Sequence, residues 1–164
     1  MAFLIGCLAV AETTEQDDSH QIDQKIQLAE DWQIISQHAD TTNLPIVVLL
    51  ERSGCSYCEV VRNEFLNPLS RSEQYKKKIV FARISLDQGQ RLIGRLGKLT
   101  STEQFAKHYG SNFTPTVLFL DGQGNQLADM LVGMSGRDYY GYYLEQAMDK
   151  ALASLNSANP IKQH

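Results

Sequence analysis

Five consecutive apolar residues, Ile46-Val47-Val48-Leu49-Leu50, stand directly after the break Asn43-Leu44-Pro45. Side chains on a strand alternate between its two faces, so an unbroken apolar run demands cover on both. That requirement points to an α/β arrangement with helices packed against both sides of a central sheet. At 164 residues, 43% hydrophobic and 21% charged, the chain is long enough for one domain with a substantial core and short for two.

The remaining elements fall in around this strand. Ile22, Ile26, Ala29, Trp32 and Ile35 recur at helical spacing, with Asp18 or Ser19 available as N-cap, which predicts an amphipathic helix ahead of it. Behind it, Cys58, Val61 and Phe65 share one face of a second helix, broken near Pro68. The run 79–86, "IVFARISL", reads as the next strand, and Asp87-Gln88-Gly89-Gln90 turns the chain out of it. Residues 87–100 carry glycines and scattered basic residues and read as a surface excursion. Thr100-Ser101-Thr102-Glu103 has a capping-box pattern before a short helix with apolar Phe105, Ala106 and Tyr109, ended by Gly110. Asp121-Gly122-Gln123-Gly124-Asn125 is a strong turn signal between the strands 117–120 and 127–132, which therefore pair as an antiparallel hairpin. Ser135-Gly136-Arg137-Asp138 caps a last helix whose core stripe is Tyr140, Leu144, Ala147, Met148, Ala151 and Leu155. At that spacing Tyr139, Tyr142 and Tyr143 are rim aromatics rather than a cofactor box. The order helix, strand, helix, strand, helix, strand, strand, helix implies a central mixed sheet of about four strands sandwiched by helices, with a right-handed crossover joining the first two strands.

The globular part is expected over residues 21–156, with a polar tail at 157–164 and a short acidic linker, "ETTEQDDSH", at 12–20. Residues 1–11 form an apolar, signal-like leader that lacks a positive n-region and is too short to span a bilayer. Three readings stand beside each other. Cleavage after the small-x-small triplet Ala9-Val10-Ala11 gives a periplasmic or otherwise exported soluble protein. Leu4-Ile5-Gly6-Cys7 resembles a bacterial lipobox, which makes Cys7 a lipidation site and a membrane anchor. An ordinary buried apolar start is the third. A net charge of −4 without any basic stripe argues against a nucleic-acid partner, and Lys76-Lys77-Lys78 reads as a solvated strand edge.

Two of the three cysteines, Cys55 and Cys58, are spaced C-x-x-C. A structural zinc site needs four ligands, and His20, His38, His108 and His164 are scattered with no second C-x-x-C, so no metal is expected. A staple between Cys55 and Cys58 closes too small a loop to stabilise a fold through chain entropy. Redox chemistry fits better. Cys55 precedes the first turn of a helix, where unpaired N–H groups and the positive end of the helix dipole favour thiolate over thiol. Cys58, one turn on and facing inward, is placed to attack a mixed disulfide on Cys55.

On these residues the chain resembles the thioredoxin-like superfamily, especially exported single-domain thioredoxin-related proteins with a C-x-Y-C pair. The resemblance rests on Ile46–Leu50 leading into Cys55-Ser56-Tyr57-Cys58, on Phe113-Thr114-Pro115-Thr116 opening a strand with Pro115 57 positions after Cys58, on Asp121-Gly122, and on Gly133 before the last helix. It covers roughly residues 22–155. It implies a thiol-disulfide oxidoreductase, in the reductase direction, acting as a monomer on protein thiols or disulfides with a further redox partner. No metal, nucleotide or flavin is implied. It also implies a cis Pro115 beside the cysteines, with Thr114 offering backbone pairing to an extended substrate segment and Tyr57 lying in the substrate-binding region or serving as an exposed spacer. Departures are as informative. Gly54 stands where thioredoxin has tryptophan, Ser56-Tyr57 replaces Gly-Pro, and Leu49 occupies the place of the buried aspartate. Glu51 is then the nearest candidate proton acceptor for Cys58, against a solvent-exposed strand-end role. The long first helix is expected in place of thioredoxin's first strand. Two other functions remain beside the oxidoreductase: a non-catalytic thioredoxin-fold binding or chaperone-like domain, and a glutaredoxin-like, glutathione-dependent reductase.

Overall fold

The computed structural model describes residues 26–158 apart from 88, 95 and 96. The leader with Cys7, the acidic linker and the tail from 159 on lie outside the described residues, as do Asp18, Ser19 and Ile22.

The apolar run Ile46–Leu50 lies in strand β2, Ile46–Glu51, and all six residues of the strand are buried. Its neighbours are β3, Val80–Ser85, in parallel and β6, Thr116–Leu120, in antiparallel register. A two-residue edge strand, β1 (Gln27–Leu28), and β7 (Gln126–Val132) complete a five-stranded sheet of order β1-β3-β2-β6-β7. The mixed α/β architecture is thus present, with one strand more than expected.

Alternation along β2 divides the core in two. Val47 and Leu49 face a layer built from Val61, Leu66, Tyr75 and, on helix α5 (Arg137–Ala158), Tyr140, Leu144, Met148 and Ala151. Ile46, Val48 and Leu50 face the opposite layer with Trp32 and Ala39 of α1 (Trp32–Thr42) and Ala106 of α4 (Thr102–His108). Each face of the central strand therefore has its own helices, which is why its apolar run has no interruption.

The first helix differs from expectation. It starts at Trp32, where the Asp31 side chain accepts from the Ile34 N–H at 3.2 Å, and it ends at Asn43 in a left-handed cap with φ 53°. It does not take the place of the first strand, because Gln27 and Leu28 pair with Ala82 and Arg83 of β3. The physical reason is visible in two side chains. Ile26 packs in one core layer and Ala29 in the other. Residues three apart share a face on a helix and oppose each other on a strand, so only the extended form buries both. Spacing alone reads the same either way.

Further elements also shift. A π-helical segment, Val61–Leu66, joins α2 (Ser56–Val60) to α3 (Asn67–Arg71), and Pro68 enters α3 at its first turn instead of breaking the helix. The wider turn, with the Asn67 N–H reaching back to the Arg62 carbonyl, brings Leu66 into the core beside Val61 and leaves Phe65 partly covered. The excursion after β3 is an antiparallel ribbon, β4 (Arg91–Ile93) with β5 (Leu99–Ser101), anchored by buried Leu92 and by the Ile93 N–H on the Glu30 carbonyl at 3.0 Å. The capping box before α4 is Ser101 with Gln104, one residue later than read from sequence. The β6–β7 hairpin forms as expected, its turn held by Asp121, which accepts from the N–H groups of Gln123 and Asn125 at 2.9 and 2.8 Å.

Candidate active site

Strand β2 delivers the chain to its C-terminal edge at Glu51, and three residues, Arg52-Ser53-Gly54, turn it into α2. Gly54 has φ +72°, and a Cβ there would meet nothing within 4 Å, so the backbone conformation rather than space calls for glycine. The tryptophan of thioredoxin would be disfavoured at this φ. The loop is tied down from the segment just after β3: Asp87 accepts from the Ser53 N–H at 2.9 Å, from the Ser53 hydroxyl at 2.6 Å and from the Ser85 hydroxyl at 2.8 Å. Those bonds, the Ser53 hydroxyl foremost, hold the Asp87 carboxyl below the ordinary carboxylate range. The Arg52 guanidinium adds a bond to the Leu86 carbonyl.

Cys55 is the N-cap of α2, and its sulfur accepts from the Cys58 N–H at 3.2 Å. The two cysteines form a disulfide with Cα atoms 5.2 Å apart. Cys58 is 1% exposed and packed inward, whereas Cys55 is half-buried. A partner arriving from solvent can reach only Cys55. Between them Tyr57 points outward, 61% exposed.

The register of the sheet brings the proline loop to the same edge. Thr116 pairs with Leu50, so Thr114 and Pro115 fall beyond the end of β2, where the cysteine loop begins. The Thr114–Pro115 peptide is cis, and the Pro115 carbonyl accepts from the Gly133 N–H at 2.7 Å. Ser111 and Thr116 hydroxyls are 3.1 Å apart, and the Thr116 hydroxyl donates to the Phe113 carbonyl at 2.9 Å, pinning the loop from below.

Glu51 is not the exposed strand-end residue that its position suggested. It is 4% exposed, with one carboxylate oxygen on Arg62 of the π segment and the other on Arg83 of β3 at 2.5 Å. Arg83 also donates from Nε to the Ile26 carbonyl at 3.3 Å. Arg62, Arg83 and Asp87 belong to no redox motif of the sequence. A signal existed for Arg83: a lone cation inside "VFARIS" needs a partner, and the acid closing the adjacent buried strand is the natural one. Among the described residues no group of three or more His, Cys, Asp or Glu could hold a metal ion, and no helix is long and apolar enough to cross a membrane.

Several solved thioredoxins share this architecture. The thioredoxin of Malassezia sympodialis superposes with a TM-score of 0.55 at 17% identity, covering 78% of this chain and 94% of that one. Spinach chloroplast thioredoxin f gives 0.52 at 19% identity over 77% and 91% of the two chains. Oxidised mitochondrial thioredoxin 3 of Saccharomyces cerevisiae gives 0.50 at 16% identity over 76% and 93%. Curated protein sequences yield no match. At such identities the likeness concerns the fold, but a family model, the thioredoxin-like domain, also matches residues 33–153. That span takes in the cysteine pair, the cis proline and most of the 164 residues, and the protein belongs to the thioredoxin-like domain family.

Proposed function

We propose that the protein is a thiol-disulfide oxidoreductase that reduces protein disulfides. The observation that carries this reading is the disulfide at the start of α2, with one sulfur reachable from solvent and the other sealed by the core. In the reduced protein the Cys55 thiolate attacks a substrate disulfide, forming a mixed disulfide and expelling one substrate thiolate. Cys58, as thiolate, then attacks the Cys55 sulfur, releases the second substrate thiolate and closes the Cys55–Cys58 bond. Two electrons pass to the substrate, and a separate reductant restores the dithiol. The Cys58 N–H aimed at the Cys55 sulfur and the start of α2 favour negative charge on that sulfur.

Thr114 would offer its backbone to an extended substrate segment, with Pro115 and Tyr57 flanking it, and Glu51 would receive the Cys58 proton during resolution. Insulin reduction tests the reading. With dithiothreitol as terminal reductant, the wild-type protein is expected to outpace dithiothreitol alone and Cys55→Ser to lose the whole gain. A wild-type protein no faster than dithiothreitol would leave the binding or chaperone-like alternative; turnover only with glutathione would favour the glutaredoxin-like one. We also propose export, through cleavage after Ala11 or lipidation at Cys7. Intact mass of the protein isolated from an expressing bacterium decides between the two, and a mass retaining Met1 would remove both.

A further inference from the structure

A cleft of about 420 Å³ opens beside the redox loop, lined among others by Arg52, Ser53, Gly54, Glu59, Arg62 and Arg83. Neither cysteine lines the cleft, but Gly54 immediately precedes Cys55 and Glu59 immediately follows Cys58, and consecutive Cα atoms are about 3.8 Å apart, so the cleft borders the redox loop on both sides of the pair. Glu51 stands between Arg62 and Arg83 and neutralises only one of them. Arg62 spends one nitrogen on it, and Arg83 spends one there and one on the Ile26 carbonyl. Each guanidinium carries five N–H donors, so both keep donors free, and their side chains are 22% and 30% exposed. Asp87 is already engaged by Ser53 and Ser85. Three arginines against Glu51, Glu59 and Asp87 sum to no net charge in the lining, which suits a single carboxylate better than a phosphate dianion.

Resting on the oxidoreductase reading, we infer that this cleft is a subsite for a carboxylate carried by the thiol or disulfide partner. Arg62 and Arg83 hold the carboxylate while the partner's sulfur meets Cys55. In the reductive half of the cycle, a partner thiolate attacks the Cys55 sulfur and Cys58 leaves as thiolate, regaining its proton by way of Glu51, the reverse of the resolving step. A second partner thiolate then attacks the partner sulfur of the mixed disulfide and releases Cys55. Two thiols are oxidised to one disulfide, and the protein gains two electrons. The carboxylate comes from a small acidic thiol or from an acidic residue near a partner protein's cysteine.

The test measures how fast the oxidised wild-type protein and Arg62→Gln are reduced by 3-mercaptopropionate and by 2-mercaptoethanol, scored by acid quench and alkylation. A second arm uses cysteine peptides that carry Glu or Gln two positions from the cysteine. Within each protein the carboxylate rate is divided by its neutral counterpart's, so differences in intrinsic thiol reactivity and any general loss in the variant cancel between proteins. The expected result is that this ratio is about fivefold or more higher in the wild type, in at least one arm, as a lost charge-assisted hydrogen bond implies. An effect confined to the first arm identifies a small thiol as the source, and one confined to the second identifies a protein. Should Arg62→Gln fail to fold, propionate replacing chloride at constant ionic strength is expected to lower the ratio in the wild type. Equal ratios in both proteins, or no propionate effect where that measurement stands in, overturn the subsite alone. Failure of every thiol to reduce the disulfide brings down the oxidoreductase reading with it.

Discussion

Cys55 and Cys58 are separated by one helical turn and yet differ in every property that matters for exchange. Cys55 caps α2 and reaches water; Cys58 lies under the helix at 1% exposure. A thiol at a helix N-terminus ionises in the range of roughly 3.5 to 7.5, and apolar burial raises a thiol pKa. Brief alkylation of the reduced protein at about pH 6 is therefore expected to label Cys55 first, and Cys58→Ser to accumulate substrate on Cys55 as a stable mixed disulfide. Labelling of Cys58 first, read by peptide mapping, would reverse the two roles. The pair was legible from its spacing and from the helix that follows it. The environment of Glu51 was legible only through Arg83, 32 positions on, whose charge inside a strand calls for an acid; Arg62, 11 positions on in a helical segment, carries no such signal. Replacing Glu51 with Gln leaves two guanidiniums without their counter-charge. The expected loss is about 1 to 3 kcal/mol in a urea titration, less than for a fully buried pair because both arginines reach water. An unchanged midpoint would show that the triad contributes nothing to stability.

Among the elements, the β6–β7 turn carries a close approach that propensity does not reveal. Asp121-Gly122 signals a turn, but the structure adds that a Cβ on Gly122 would sit 2.5 Å from the Asp40 backbone nitrogen of α1. Because that neighbour is main chain, α1 and the hairpin must separate to admit it. Gly122→Ala is expected to cost about 1 to 3 kcal/mol, and a thermal midpoint equal to wild type would show that the turn yields freely. The loop that holds the cysteines has its own dependence on pH. Asp87 has its folded-state carboxyl lowered by the Ser53 and Ser85 bonds, so its stabilisation is complete above the unfolded value and fades as pH falls through the lower folded one. Between neutrality and pH 5 the Ser53 amide is expected to keep its exchange protection after correction for intrinsic rate. Below the ordinary carboxylate value of 3.8 that protection is expected to decline, and Asp87→Asn to remove the acid-dependent part. The π segment belongs to this scale too. Phe65 and Leu66 are both apolar, and which of them enters the core depends on one extra residue per turn that no periodicity announces.

At the scale of the whole molecule, one sheet carries two core layers, and the segment ahead of α1 is tested by what it buries in each. A chain beginning at residue 32 loses Ile26 and Ala29, one from each layer, together with the β1 edge. Relative to a chain beginning at residue 21, it is expected to be about 2 to 4 kcal/mol less stable to urea from the apolar burial alone; equal stability would mean that β1 is dispensable. The sequence by itself determined the layered α/β class, because an unbroken apolar strand admits no other cover, and it determined the redox pair, the hairpin and the last helix, whose signals are local. Only the tertiary structure decided that residues 27–28 are a strand rather than helix, since the open edge of β3 and opposite-facing burial of Ile26 and Ala29 settle a pattern that spacing leaves equal. It likewise decided the Glu51–Arg62–Arg83 cluster and the cleft beside it, because ion pairs between separate elements depend on which strands and helices become neighbours, and that is a property of the assembled sheet.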